Sequence, residues 1–141
     1  MGERESNSAN ARHDLFGNAA PRAAAEAART FAQAAGLHDA DADRLCILVE
    51  ELVANVVEHG DAATAQLGLA RMGGTVCIDL ADTGTPFDIR NAPPRPTPKE
   101  RGGGAGLDII RAWAEVESYV QEAGTNHLKL VMPLRETYGT P

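Results

Sequence analysis

The stretch Glu50-Glu51-Leu52-Val53-Ala54-Asn55-Val56-Val57-Glu58-His59-Gly60, EELVANVVEHG, is an apolar helical repeat interrupted by a glutamate and an asparagine four residues apart. At about 100° per residue, Leu45, Val49, Leu52, Val53, Val56 and Val57 share one broad arc, the face that packs on a neighbouring layer. Glu51, Asn55 and Glu58 fall on the opposite side, and Glu50 lies about 100° away from Glu51. A solvated face is the ordinary reading of such a stripe. Two features argue for the wall of a pocket instead. Ile47 and Leu48 flank the stripe, and an Asn inside a helix costs roughly 0.5 kcal/mol relative to Ala. A carboxylate and a carboxamide at this spacing project side by side. The carboxylate can take a proton from an attacking hydroxyl, and the carboxamide oxygen is a hard neutral ligand that suits Mg²⁺ alongside phosphate and water.

The helix around this stretch begins in HDADADRLCILVEELVANVVEHG, whose early carboxylates complement the helix dipole and whose closing glycine ends it. Before it, PRAAAEAARTFAQAAG has Pro21 at a first-turn position and Gly36 as a stop, which predicts another helix. Earlier still, HDLFGN reads as an edge strand. After Gly60, ATAQLGLARM and TVCIDLAD alternate around Gly73-Gly74 as a hairpin. The segment TGTPFDIRNAPPRPTPKERGGGAG follows, with five of the chain's eight prolines, and reads as a long functional loop. A helix, LDIIRAWAEV, and two strands, EVESYVQE and NHLKLVMPL, complete the order. Helices grouped on one face of a mostly antiparallel sheet fit this order better than a β-α-β alternation. The expected layout is a tail at 1–12, one domain at 13–135 and a tail at 136–141.

Bulk properties narrow the functions available. A chain of 141 residues with 43% apolar content suffices for a single core. Its 13 Lys and Arg against 20 Asp and Glu, a net charge of -7, disfavour a broad grip on nucleic acid or an anionic membrane. No apolar run is long enough to span a bilayer and no signal-peptide core precedes the domain, so a cytoplasmic location is expected. Cys46 and Cys77 sit in apolar runs without a CxxC and read as buried reduced thiols. The four histidines lack ligand spacing, which disfavours structural zinc.

Two loop motifs give the Glu51–Asn55 pair its partners. In LADTGTPFDI a strand ends at Asp82 and turns through Gly84; an Asp so placed can accept a hydrogen bond from an exocyclic amine while the glycine admits a ring beside the backbone. An ordinary Asp-x-Gly turn explains it equally well. In RGGGAGLDII, Gly102, Gly103, Gly104 and Gly106 precede a helix whose first N–H groups could hold phosphate. No GxxxxGK[ST], strand-bound GxGxxG or HRD/DFG set is present.

Taken in order, EELVANVVEHG, DTGTPFD and GGGAGLDIIR resemble the N, G1 and G2 boxes of the GHKL ATPase superfamily, over roughly residues 20–134. Within it, the ExxxNxxxHG and DxGxPFD forms are most similar to RsbW-like anti-sigma factors that are also serine protein kinases. The resemblance implies the Bergerat ATP-binding fold, an α+β two-layer sandwich with three helices on one face of a mixed, mostly antiparallel sheet. It implies ATP and Mg²⁺, with Glu51 as base, Asn55 as metal ligand and Asp82 with Gly84 at the adenine. It assigns Gly102, Gly103, Gly104, Ala105, Gly106 and Leu107 to the phosphate end, and Thr125 to the base side. Lys99 and Arg101 would reach the phosphates from the proline-rich lid, residues 86–101. The implied partners are a sigma factor, an anti-anti-sigma protein of the STAS type and a second copy of the chain, with Arg22 and Arg29 on a docking helix; no nucleic acid or membrane is implied. Two other readings share the motifs: an ATP-holding adaptor that transfers nothing, and a detached histidine-kinase ATP-binding domain.

Overall fold

The computed structural model describes residues 10–58, 62, 64–91 and 105–138. Strand β1 (Asn10–Phe16) leads through a short 3₁₀ turn into helix α1 (Ala20–Ala34) and helix α2 (Asp39–Glu58). Strands β2 (Thr64–Met72) and β3 (Thr75–Asp82) follow, then helix α3 (Ala105–Trp113) and strands β4 (Glu115–Glu122) and β5 (Thr125–Pro133). The sheet runs β1-β2-β3-β5-β4 and every pairing is antiparallel. This is the α+β architecture expected from the order of elements. β1 starts at Asn10, inside the stretch read as tail.

Alternation builds the sheet. In β5 the buried positions are Asn126, Leu128, Leu130 and Met132, and in β3 they are Val76, Ile78, Leu80 and Asp82. These faces meet Leu45, Leu48, Val49, Leu52 and Val53 of α2 together with Phe31 of α1 and Ile110 of α3. Burying a side chain of this size stabilises by roughly 1.5–3 kcal/mol, so the α2 row alone decides where the layers meet. The β4–β5 turn has positive φ at both Ala123 (55°) and Gly124 (81°), the geometry that matches strand twist. Each polar exception on the inward faces, Asp82 and Asn126, lies at the same end of the sheet.

Asn55 departs from the simple helical wheel. It is 7% exposed and borders the buried arc, whereas Glu58 is exposed and Glu51 half-buried. The buried arc extends past the six residues that define it to Leu48, two turns before Asn55 on the same flank and fully covered. Ile47 faces outward at 41% exposure. Of the two thiols, Cys46 is buried and Cys77 only half-buried, and both are free.

The far end of the sheet carries a separate polar knot. Asp41 is completely buried and accepts hydrogen bonds from the backbone N–H of Arg135 (3.0 Å) and Glu136 (3.1 Å), from Tyr138 Oη (2.7 Å) and from Arg44. The residues after β5 are thereby tied to the first turn of α2, and Arg71 stacks over the Tyr138 ring, 4.8 Å from its centroid.

Candidate functional site

The sheet end opposite that knot gathers the motif residues. Asp82 closes β3, and its Oδ1 accepts from Gly84 N at 2.8 Å, which makes the sharp turn after the strand. Asn126, its partner in the β3–β5 register, donates through Nδ2 to Asp82 Oδ1 (3.0 Å) and to the Gly84 carbonyl (2.9 Å). Asp82 is 8% exposed and Asn126 4%, so one carboxylate oxygen is committed to holding the turn. The following segment is also pinned. Tyr119 Oη of β4 accepts from Phe87 N at 2.9 Å, and Arg111 of α3 donates to the Ile89 carbonyl at 2.7 Å.

Leu52, Asn55 and Val56 of α2 face this turn across a narrow recess completed by Asp82, Thr85, Phe87, Ile89, Tyr119 and Leu128. Its walls are apolar and aromatic, with Asp82 and Asn55 as the convergent polar groups, the pattern of a small-molecule site. Among the described residues, the Asn55 side-chain amide Nδ2 is buried without a hydrogen-bond partner. Such a group costs about 1–3 kcal/mol unless something satisfies it, so it marks a place where a ligand or water belongs. Larger hollows of about 350 and 490 Å³ lie on the open face of the sheet. They are shallow and lined by charges of both signs, and the chemistry converges at the recess.

Glu51 lies one turn before Asn55, against the start of α3. A Cβ built on Gly106 would overlap Glu51 Oε1 and lie 3.3 Å from its Cδ, so the absence of a side chain at Gly106 makes room for this carboxylate. Burial, then the like charges of Glu50 and Glu58, raise the Glu51 pKa above the ordinary glutamate value. A carboxylate with raised proton affinity beside a helix start suits proton abstraction. Among the described residues no group of three or more His, Cys, Asp or Glu is arranged to hold a metal.

The structure therefore brings together Glu51, Asn55, Asp82, Gly84 and Gly106. Lys99, Arg101, Gly102, Gly103 and Gly104 lie outside the described residues. Ala105 opens α3, and the Leu107 side chain turns into the core. Thr125 is half-buried and does not line the recess; its neighbour Asn126 takes the position against Asp82. The alternation of β5 was the signal for it, since Asn126 shares parity with Leu128, Leu130 and Met132. Tyr119, Phe87 and Ile89 were also missed as wall residues, because only the fold sets them beside α2. Arg22 is exposed on α1, and Arg29 pairs with Asp43 at 2.9 Å; neither reaches the recess.

A family model described as a histidine kinase-like ATPase domain matches residues 18–132. The serine/threonine-protein kinase BtrW of Bordetella bronchiseptica is 32% identical over 94 residues, which are 61% of this chain and 66% of that protein, just short of two thirds. The RsbU and RsbW domains of Rv1364c from Mycobacterium tuberculosis superpose with a TM-score of 0.62 at 19% identity, over 94% of this chain and 34% of that one. A chain of the SiaB-SiaC complex from Pseudomonas aeruginosa gives 0.56 at 14%, over 92% and 94%. At those identities the two solved structures speak to the fold alone, and the fold agrees. With residues 18–132 under one family model, the chain belongs to the histidine kinase-like ATPase domain family.

Proposed function

We propose that this chain is an anti-sigma factor with ATP-dependent serine/threonine protein kinase activity, which binds a sigma factor and phosphorylates a hydroxyl on an anti-anti-sigma antagonist of the STAS type. The observation that carries this reading is the juxtaposition of Glu51, whose carboxylate meets Gly106 at the start of α3, with the buried amide of Asn55, unpaired among the described residues, at the edge of the recess. A proton acceptor beside a phosphate-binding helix start, next to a metal-type ligand, is what phosphoryl transfer to a hydroxyl requires. The likeness to a serine/threonine-protein kinase supports the transfer. The RsbW and SiaB-SiaC likenesses are in keeping with partner switching.

Each residue has a distinct part. Asp82 accepts a hydrogen bond from the adenine amine, with Gly84 leaving space for the ring. Asn55 would hold Mg²⁺ through Oδ1, a hard neutral oxygen, while its buried Nδ2, without a partner among the described residues, is a donor suited to a ligand oxygen. When bound, the ion would offset charge on the phosphate oxygens. Gly106, Ala105 and the Gly102–Gly104 run serve the phosphates, with Lys99 and Arg101 reaching them from the lid. Glu51 takes the proton of the acceptor hydroxyl as its oxygen attacks the γ-phosphorus and the bond to the bridging oxygen breaks, releasing ADP. The recess is narrow, with a cavity volume of about 10 Å³.

Incubation with γ-labelled ATP and a STAS-type antagonist tests the reading. Wild type should label the antagonist on Ser or Thr. Nucleotide binding with no label on any antagonist would instead make the chain an ATP-holding adaptor. Asn55→Ala should weaken ATP binding in a Mg²⁺-dependent way, and equal affinity at every Mg²⁺ concentration would remove Asn55 from the metal.

A further inference from the structure

An irregularity in β4 decides which of its side chains face inward. Val116 pairs with Leu130, Ser118 with Lys129 and Tyr119 with Leu128, so Glu117 is one residue more than the ladder needs. In a regular strand, residues three apart point to opposite faces of the sheet. The bulge at Glu117 absorbs the extra residue, and Val116 and Tyr119 both pack against the core while Glu117 stays exposed. Without the bulge, alternation from Val116 would turn Ser118 inward and send Tyr119 to the open face of the sheet. Bulges recur beside binding sites because they re-aim a side chain in this way.

The side chain so re-aimed lines the recess together with Asp82 and Phe87. Tyr119 Oη accepts from Phe87 N at 2.9 Å, which fixes the oxygen in place. A phenol is a donor as well as an acceptor, and among the described residues no group takes the Tyr119 proton. Burial raises the Tyr119 pKa, the hydrogen bond from Phe87 draws it back, and the charges of Asp82 and Asp88 raise it again, so the hydroxyl keeps its proton at neutral pH. Thr85, the other hydroxyl on the recess, is exposed and has no hydrogen bond among the described residues, so nothing sets its direction.

We propose that Tyr119 is a specificity-determining residue of the nucleotide site: its hydroxyl donates to a ring nitrogen of the base while Asp82 accepts from the exocyclic amine. This rests on the nucleotide reading of the recess and adds a second reader to it. A carboxylate acceptor and a phenol donor on one narrow recess match a ligand edge that presents a donor next to an acceptor. Adenine presents that edge on either side of its amine, with N1 or N7 as the acceptor. Guanine sets a carbonyl against the Asp82 carboxylate instead, and its N1 carries a proton that meets the Tyr119 donor. Asp82 alone distinguishes an amine from a carbonyl, and Tyr119 makes the site sensitive to the nitrogen beside it as well.

Calorimetric titration of the full chain with ATP, 1-deaza-ATP and 7-deaza-ATP in the presence of Mg²⁺, on wild type and on Tyr119→Phe, tests this. Wild type should bind one of the two deaza analogues roughly three- to tenfold more weakly than ATP, and that analogue identifies the nitrogen. Tyr119→Phe keeps the ring in the wall and loses only the hydroxyl. It should bind ATP more weakly by a similar factor and should no longer distinguish ATP from that analogue. A tyrosine that served the fold alone would lower the affinity for all three nucleotides by the same factor. That result, or a wild type that binds ATP and both analogues equally, would overturn the proposal. Thermal unfolding shows whether Tyr119→Phe is folded; if it is not, the wild-type comparison of the analogues decides. A wild type that binds none of the three overturns the nucleotide reading and this inference with it, an outcome distinct from the others.

Discussion

Asn126 holds Asp82: its side-chain amide bridges Asp82 Oδ1 at 3.0 Å and the Gly84 carbonyl at 2.9 Å, across one antiparallel pair of β5 and β3. The amide spends its donors on the turn, which fixes the carboxylate and leaves Asp82 Oδ2 as the oxygen able to accept from a ligand amine. Asn126→Ala should therefore act on affinity and stability together. It removes two buried hydrogen bonds, a loss of roughly 1–3 kcal/mol, and lets the Asp82 carboxylate rotate. Calorimetric ATP titration and thermal unfolding should both register it. Unchanged affinity would mean that Asp82 does not need this support to bind the base.

Glu51 should set the acid limb of the transfer rate. Burial first, and then Glu50 and Glu58, raise its pKa. A base works deprotonated, so the rate should fall, as pH decreases, at a higher pH than an ordinary glutamate would dictate. Glu50→Gln removes one like charge and should move the limb to lower pH while leaving the plateau intact. Glu51→Gln should abolish transfer across the range with ATP binding retained. The sign for stability is opposite to that for activity. A carboxyl whose pKa is raised by folding loses stability as pH rises, so Glu51→Gln should unfold at a slightly higher temperature at neutral pH. A rate profile indifferent to Glu50→Gln would uncouple the limb from Glu51.

Gly106 offers a separation of binding from chemistry. Alanine at a helical glycine favours the helix by roughly 1 kcal/mol, so Gly106→Ala should not lower the melting temperature. The added methyl, however, takes the space of Glu51 Oε1 and must push that side chain aside. The expected result is a fall in kcat of tenfold or more with ATP affinity little changed. Loss of affinity with kcat preserved would assign Gly106 to the phosphates alone.

The sheet and helices were legible because their signals are local: alternation in β2, β3 and β5, the Gly73-Gly74 hairpin, and caps around the two long helices. Glu51, Asn55 and Asp82 were legible as residue types that a simple core would not place there. The helical wheel still set Asn55 opposite the core, because Leu48 was read as flanking the polar stripe and not as core, which drew the buried arc too narrow. The resemblance pointed to Thr125 on the base side, whereas β-strand parity draws attention to its neighbour Asn126, which shares the face of Leu128. Phe87, Ile89 and Tyr119 could not be read at all. Their place in the recess depends on the Phe87–Tyr119 and Ile89–Arg111 hydrogen bonds, which join segments remote in sequence.

Asp41 gives the fold an acid-sensitive fastening that its sequence disguises as one more acidic residue at a helix start. Burial alone would push its pKa up. Hydrogen bonds from the Arg135 backbone, Tyr138, Arg44 and the Glu136 backbone outweigh that and hold it at about 2, against 3.8 for a free aspartate. A carboxyl depressed by folding contributes stability above its unfolded pKa and loses it as pH falls toward the folded one. The gap corresponds to roughly 2 kcal/mol, present at neutral pH and lost between about pH 4 and pH 2. Tyr138→Phe removes one of these donors and should lower stability by about 1 kcal/mol at neutral pH. Asp41→Asn keeps the shape but not the charge, leaves Arg44 facing a neutral group, and should cost more. Denaturant unfolding at pH 7 and again near pH 2.5 distinguishes the fastening from ordinary packing. The two variants should differ from wild type most at the higher pH and converge on it at the lower, whereas a packing defect would cost the same at both.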